Sequence, residues 1–241
     1  MTLSRLTVLS EHEIREIHEA SLHVLEHCGV KVLSPRMFSF LREQGLAADS
    51  ERQVVRFTRT CVEEVLAHIP PRFEVFNRDG EHAFTLGEGA PRIAAGHNAV
   101  FWVDSESGET RPSRVADVEG FARICQHLPA IDMIGIPVMP QDVPEARATL
   151  LYAVRAVIEN SRKPVYFSTD QPDVNRACIE MLRAAFPRDI GAHPYGIAQL
   201  SSTSPLFWEA GVLEAMEDTV NAGVPLALLP EPNAGVSAPY T

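Results

Sequence analysis

Met133-Ile134-Gly135-Ile136-Pro137-Val138, Val165-Tyr166-Phe167-Ser168, Tyr195-Gly196-Ile197-Ala198-Gln199-Leu200 and Leu226-Ala227-Leu228-Leu229 are short apolar runs that begin 32, 30 and 31 residues apart. Each is too short for a buried helix and reads as a strand. Between them lie helical segments at 144–160, 172–186 and 207–222. Strand and helix alternating at a period near 30 is the βα unit of a parallel sheet. The runs do not alternate apolar with polar, as expected of strands covered on both faces. Each ends in proline or polar residues: Pro140-Gln141-Asp142, Ser168-Thr169-Asp170, Ser201-Ser202-Thr203 and Pro230-Glu231-Pro232-Asn233. Polar groups at the carboxyl ends of parallel strands are where (β/α)8 enzymes keep their active sites. The expectation is α/β: a partial (β/α)8 TIM-type barrel of about four βα units over 129–241, preceded by a mixed α+β region over 1–128.

Working outward, the N-terminal part is irregular. Ser10 and Glu13 form a capping box for a helix that Gly29 stops. A second helix is expected from Pro35 to Gly45, and Thr60 with Glu63 suggests a cap for a third. Phe73, Val75 and Phe76 lead into the turn Asn77-Arg78-Asp79-Gly80. Ala99 to Val103 and the stretch after Gly108 read as a hairpin, followed by a helix near 114–127. A closed barrel needs eight units, and an open parallel sheet exposes an apolar edge. The expectation is therefore a piece of a longer protein, the alternative being a half-barrel that dimerises.

Composition narrows the function. The 241 residues carry 21 Lys and Arg against 32 Asp and Glu, a formal charge of −11, so non-specific nucleic-acid binding is disfavoured and a cationic ligand mildly favoured. No run approaches the about 20 apolar residues of a membrane span. Met1 to Ser10 holds one Arg and no sustained apolar stretch, unlike a secretory signal. Cys28, Cys61, Cys125 and Cys178 are scattered with no CxxC, which argues against a zinc ribbon or a disulfide scaffold and points to a cytoplasmic setting. His23 and His27 have the i, i+4 spacing of zinc ligands but no third ligand, so solvent-facing helix residues are the better account and no metal is expected. No Gly-x-Ser-x-Gly, Gly-x-Gly-x-x-Gly or Walker A pattern is present.

Several stretches carry a family resemblance: Ser10-Glu11-His12-Glu13-Ile14 through Gly29-Val30, Gly96-His97-Asn98-Ala99-Val100, Pro137-Val138-Met139-Pro140-Gln141-Asp142-Val143-Pro144, Lys163-Pro164-Val165, Ser204-Pro205-Leu206 and Pro230-Glu231-Pro232-Asn233-Ala234-Gly235 through Ala238-Pro239. Together they resemble the trimethylamine methyltransferase (MttB-like) superfamily, in its N-terminal half. The resemblance implies a (β/α)8 barrel that moves a methyl group from trimethylamine or a quaternary amine such as a betaine to the cobalt of a corrinoid. That corrinoid (a cobalamin) would arrive on a separate carrier protein, since Asp-x-His-x-x-Gly is absent here. Founding members hold pyrrolysine, whose position would fall beyond Thr241. The alternative to an enzyme is a shortened, non-catalytic paralogue that acts as a binding or assembly partner.

Displacement of a methyl group from a quaternary nitrogen requires alignment more than acid–base help. A cationic amine also sits well over aromatic faces. Phe101, Trp102, Tyr166, Phe167, Tyr195 and Phe207 are candidate aromatics, each with core packing as the alternative. Asp142 and Glu231, just past strands, are the candidate catalytic carboxylates. Asp142 also reads as an N-cap of the helix after Pro144. Gln141 can orient a betaine's tail or close its loop. Gln199 and Ser201 share one side by strand alternation. His97 and Asn98, in a hairpin after Gly96, can line the mouth or serve as turn residues.

Overall fold

The computed structural model describes residues 7–238. Residues 1–6 of the stretch read for a leader, and Pro239 of the last motif, lie outside the described residues. The chain divides into two compact units. One takes in 1–70, 203–210 and 232–241; the other takes in Pro71–Ser202 and Gly211–Glu231. The second unit begins at Pro71, and the first unit also recruits two later segments.

In the first unit, α1 (Glu11–His27), β1 (Val30–Val32), α2 (Pro35–Glu43), β2 (Ala47–Asp49), β3 (Val54–Arg56) and α3 (Arg59–His68) follow one another. Ser10 Oγ accepts from the Glu13 N–H, and the Glu13 carboxylate accepts from the Ser10 N–H at 2.7 Å, which completes the expected capping box. Gly29 closes α1 at φ +75, where an added Cβ would sit 2.6 Å from the Val55 carbonyl. The cap of α3 is Thr58, not Thr60: its Oγ1 accepts from the Cys61 N–H, and Glu63 pairs with Arg59 instead.

In the second unit, β4 (Phe73–Phe76) and β5 (His82–Leu86) form a hairpin, β6 (Ala94–Ala95) follows, and β7 (Phe101–Val103) and β8 (Thr110–Pro112) form a second hairpin. Then come α4 (Val115–Gln126), β9 (Met133–Gly135), α5 (Thr149–Asn160) after a 3-10 turn at Ala146–Ala148, β10 (Val165–Ser168), α6 (Pro172–Ala185) and β11 (Gly196–Leu200). The chain next contributes β12 (Phe207–Trp208) to the first unit, where it pairs with β1, before α7 (Ala210–Asn221) and β13 (Leu226–Leu228). Phe207, expected in a helix, is a strand residue.

The central sheet is wholly parallel, in the order β13-β11-β10-β9-β6. Four of its strands are the expected ones. The fifth, β6, is a two-residue strand within a segment whose register continues past Gly96: Asn98 N–H donates to Ile136 O and Ala99 N–H to Pro137 O. Two glycines permit this approach. A Cβ on Gly135 would lie 2.1 Å from the Gly96 carbonyl oxygen, and one on Gly96 would lie 2.7 Å from Pro137 Cα. Gly135→Ala is expected to part these strands at a cost of about 3 kcal/mol, seen as a lower urea midpoint at unchanged slope.

The sheet buries two different faces. Ile134, Ile136, Val165, Phe167 and Ala198 point to a core shared with α4, α5 and α6. On the other face Met133 and Ile197 pack with Val75 and Phe84 of the first hairpin, flanked by Tyr166 and Ala227. Each fully buried side chain of this kind contributes about 1.5–3 kcal/mol. The hairpin therefore fills the part of that face nearest the strands' amino ends and leaves the carboxyl ends to polar residues.

Helix α4 is anchored at its start by two carboxylates. Asp117 takes both Arg111 guanidinium N–H groups at 2.8 Å and the Arg114 N–H at 2.8 Å, while Asp142 Oδ1 accepts from the Val115 N–H at 2.9 Å. The Arg111 hydrogen bonds hold the Asp117 carboxyl below the usual carboxylate range. A depressed carboxyl contributes stability that is present above its unfolded value, about 3.9, and is lost as pH falls through the folded one. The stability difference between the parent and Asp117→Asn should therefore be largest near pH 7 and shrink below about pH 4, as measured by urea unfolding at each pH.

Candidate functional site

The polar end of the sheet is assembled from four strands. Tyr166 of β10 is paired in register with Gly135 of β9 and Ile197 of β11, so it shares a face with Gln199, two residues further along β11. Gln199 is 2% exposed, and its Nε2 donates to Glu231 Oε1 at 3.3 Å. Glu231 follows β13. His97 Nε2 stands 3.9 Å from the same oxygen, presented by the chain just after β6. Burial, and then the charge of Glu231, push the Tyr166 hydroxyl upward from its ordinary value. Four sequence candidates, drawn from the ends of β6, β10, β11 and β13, thus converge.

The remaining candidates are occupied elsewhere. Asp142 is exposed and bonded to the Val115 amide, so it caps a helix, although α4 rather than the one after Pro144. Gln141 closes its loop: its Nε2 donates to Val100 O at 2.7 Å and its N–H to Ser113 O. Asn98 adopts φ +46 and holds the β6 extension to Ile136. Trp102 packs against the helix-side core, Phe167 and Tyr195 lie inside that core, and Tyr195 stacks on Phe186 at 5.5 Å. Phe101 is exposed, and Phe207 belongs to the first unit. Ser201, half-buried, follows Gln199 by two residues beyond β11. His23 and His27 stack at 4.0 Å, and among the described residues no three metal-ligating side chains gather. Sequence reasoning passed over Ser168. It is the register partner of Gln199 and lies two residues beyond Tyr166, and that spacing was the available signal.

Chemically, this end offers one carboxylate fixed by a buried amide, an aromatic ring and an imidazole. No lysine or arginine belongs to the group. That set suits a cation. The fold and site thus define an α/β protein with a parallel sheet and a cation-suited polar cluster at the strands' carboxyl ends.

The profile of the trimethylamine methyltransferase (MTTB) family matches residues 1–241, and the chain belongs to that family. It is 23% identical over 238 residues to the trimethylamine methyltransferase MttB of Desulfitobacterium hafniense strain DCB-2, covering 98% of this chain and 48% of that protein. It is 25% identical over 244 residues to the glycine betaine methyltransferase of Desulfitobacterium hafniense strain Y51, covering 98% and 49%. With the trimethylamine methyltransferase MttB of Methanosarcina thermophila it shares 24% identity over 241 residues, covering 97% and 50%. The chain spans about half the length of these curated relatives. No helix among the described residues is long and apolar enough to cross a membrane.

Proposed function

We propose that this chain supplies the amine-binding side of a methyltransferase that takes a methyl group from trimethylamine or a quaternary amine and passes it to the cobalt of a corrinoid on a separate carrier protein. The observation that carries this reading is the convergence of His97, Tyr166, Gln199 and Glu231 at the carboxyl ends of the sheet. In such a transfer the C–N bond breaks with its electron pair staying on nitrogen, and reduced cobalt provides the pair for the new bond to carbon. The corrinoid enters as a co-substrate. The residues present here would hold the cation: Glu231 opposes its charge, Tyr166 offers a ring face worth about 0.5–2 kcal/mol, and Gln199 fixes the carboxylate. The test is methyl transfer from trimethylamine or glycine betaine to a reduced corrinoid carrier, followed by cobalt absorbance, with the product of the complete reading frame that holds these residues. Transfer is expected, and its absence with every methylated amine and a competent carrier rejects the reading.

The assembly-partner reading draws support from the sheet's edges. Among the described residues β6 and β13 each pair on one side only, and Ile93 and Leu228 beside them are 50% and 55% exposed. Such edges are templates for a further strand. A chain that binds a second barrel or a carrier without supporting methyl transfer would favour this alternative.

A further inference from the structure

The strand ends around Glu231 present acceptors. A carboxylate only accepts, so Glu231 fixes which way the Gln199 amide lies, with Nε2 toward it at 3.3 Å. Gln199 is almost wholly buried, so the amide is held in place. Its Oε1 is left over, and among the described residues no donor reaches that oxygen. A carbonyl oxygen accepts the polarised C–H groups of an N-methyl cation and repels a carboxylate. The field of Glu231 also reaches the neighbouring ring: after burial, its charge is what keeps the Tyr166 hydroxyl neutral. Thr169-Asp170-Gln171 after β10 and Ser201-Ser202 after β11 add one more carboxylate and no cation. The cation in the loop after β9, Arg147, is held by Asp173 at the start of α6, through Nε at 2.9 Å and Nη2 at 2.7 Å. Arg111 is held by Asp117, on which the charge of Arg114 also acts.

We infer that Glu231 is a specificity-determining residue that admits methylated monocations and turns away zwitterionic amines such as betaines. This deepens the reading of Glu231 as the carboxylate that faces the amine and rests on it. Glycine betaine and a simple quaternary ammonium share the same cationic head. In the betaine one methylene separates that head from a carboxylate. With the head against Glu231, the two carboxylates stay within a Debye length, about 10 Å at 0.1 M salt, and repel. Replacing the betaine's carboxylate by an amide keeps the size and removes the negative charge, so the pair isolates the effect.

Calorimetric titration of the chain at pH 8.5, where an ordinary imidazole is neutral, compares tetramethylammonium, glycine betaine and glycine betaine amide. The amide is expected to bind about tenfold more tightly than glycine betaine. Glu231→Gln should bring the two together, chiefly by weakening the amide. Glycine betaine that binds as tightly as its amide, or more tightly, overturns this inference and leaves the cation site standing. A preference that persists in Glu231→Gln overturns it as well, and binding of tetramethylammonium alone would show that size excludes both tailed ligands. Absence of binding by all three removes the cation site itself. On the parent protein the preference should also shrink between 0.01 and 1 M salt, and a preference indifferent to salt counts against a charged determinant even if Glu231→Gln folds poorly.

Discussion

Lys163→Met is expected to lower stability by about 3 kcal/mol and Tm by roughly 6–12 °C. The Lys163 Nζ donates to three carbonyl oxygens, Cys125 O at 2.7 Å, Leu128 O at 2.6 Å and Ile131 O at 2.6 Å. Cys125 and Leu128 are at the end of α4, where carbonyls lack helical partners and the helix dipole favours a cation. Ile131 lies two residues before β9. One ammonium thus ties the end of α4 to the start of β9 from the residue that leads into β10. Burial lowers the Lys163 pKa, and the three oxygens are what offset that cost. Methionine preserves the stem's packing and removes only the charge and its donors, leaving three carbonyls unpaired or wet. Lys163→Arg should recover part of the loss, since a planar guanidinium cannot point three donors into one pocket in the same way. Thermal melts of the three proteins decide it, and equal melting temperatures would show that the carbonyls find water at no cost. Because Lys163 sits at the amino ends of the strands, the cation affinity of material that remains folded should not move.

What the sequence made legible follows the range of the forces involved. The Ser10 cap, Gly29 stop and Asn77–Gly80 turn are local, involving residues at most five apart, and the structure has them where expected. The four parallel strands are readable from their spacing because each unit repeats one piece of physics, a buried strand and its covering helix. Strand β6 is not, since two alanines carry no periodicity and their pairing depends on Gly96 and Gly135, some 40 residues apart. Asp142 shows the same limit. Its type and position mark it as a cap or a site carboxylate, but the amide it satisfies lies 27 residues earlier, on a helix it does not precede. Phe207 escapes a local reading for that reason too: its partner is Lys31. For the site, the rule that polar residues gather at strand carboxyl ends selects Gln199 and Glu231, while Tyr166 enters as a ring for a cation and His97 as a residue of the turn after Gly96. It does not separate them from Gln141 or Asp142, because only packing decides which polar residue is taken by a neighbouring backbone group.

Glu231→Gln is expected to weaken tetramethylammonium binding at pH 8.5 by about 10–100-fold, or about 1.4–2.7 kcal/mol. The substitution keeps size and a hydrogen-bonding oxygen toward Gln199, so what it removes is charge. Two consequences are separable. Cation affinity falls because the remaining partner, the Tyr166 ring, supplies about 0.5–2 kcal/mol at most. The Tyr166 hydroxyl also loses the negative neighbour that helps hold it neutral, so it should ionise at lower pH than in the parent. Ultraviolet titration of tyrosinate, with Tyr166→Phe assigning the signal, reads this second effect without any ligand. If the tyrosinate shift appears and affinity is unchanged, the charge was removed from the expected place and the cation binds somewhere else. If neither changes, Glu231 does not face Tyr166 in solution and the four-strand site is not formed. Loss of affinity together with the tyrosinate shift ties the cation to one carboxylate, set by a buried glutamine at the end of a parallel strand.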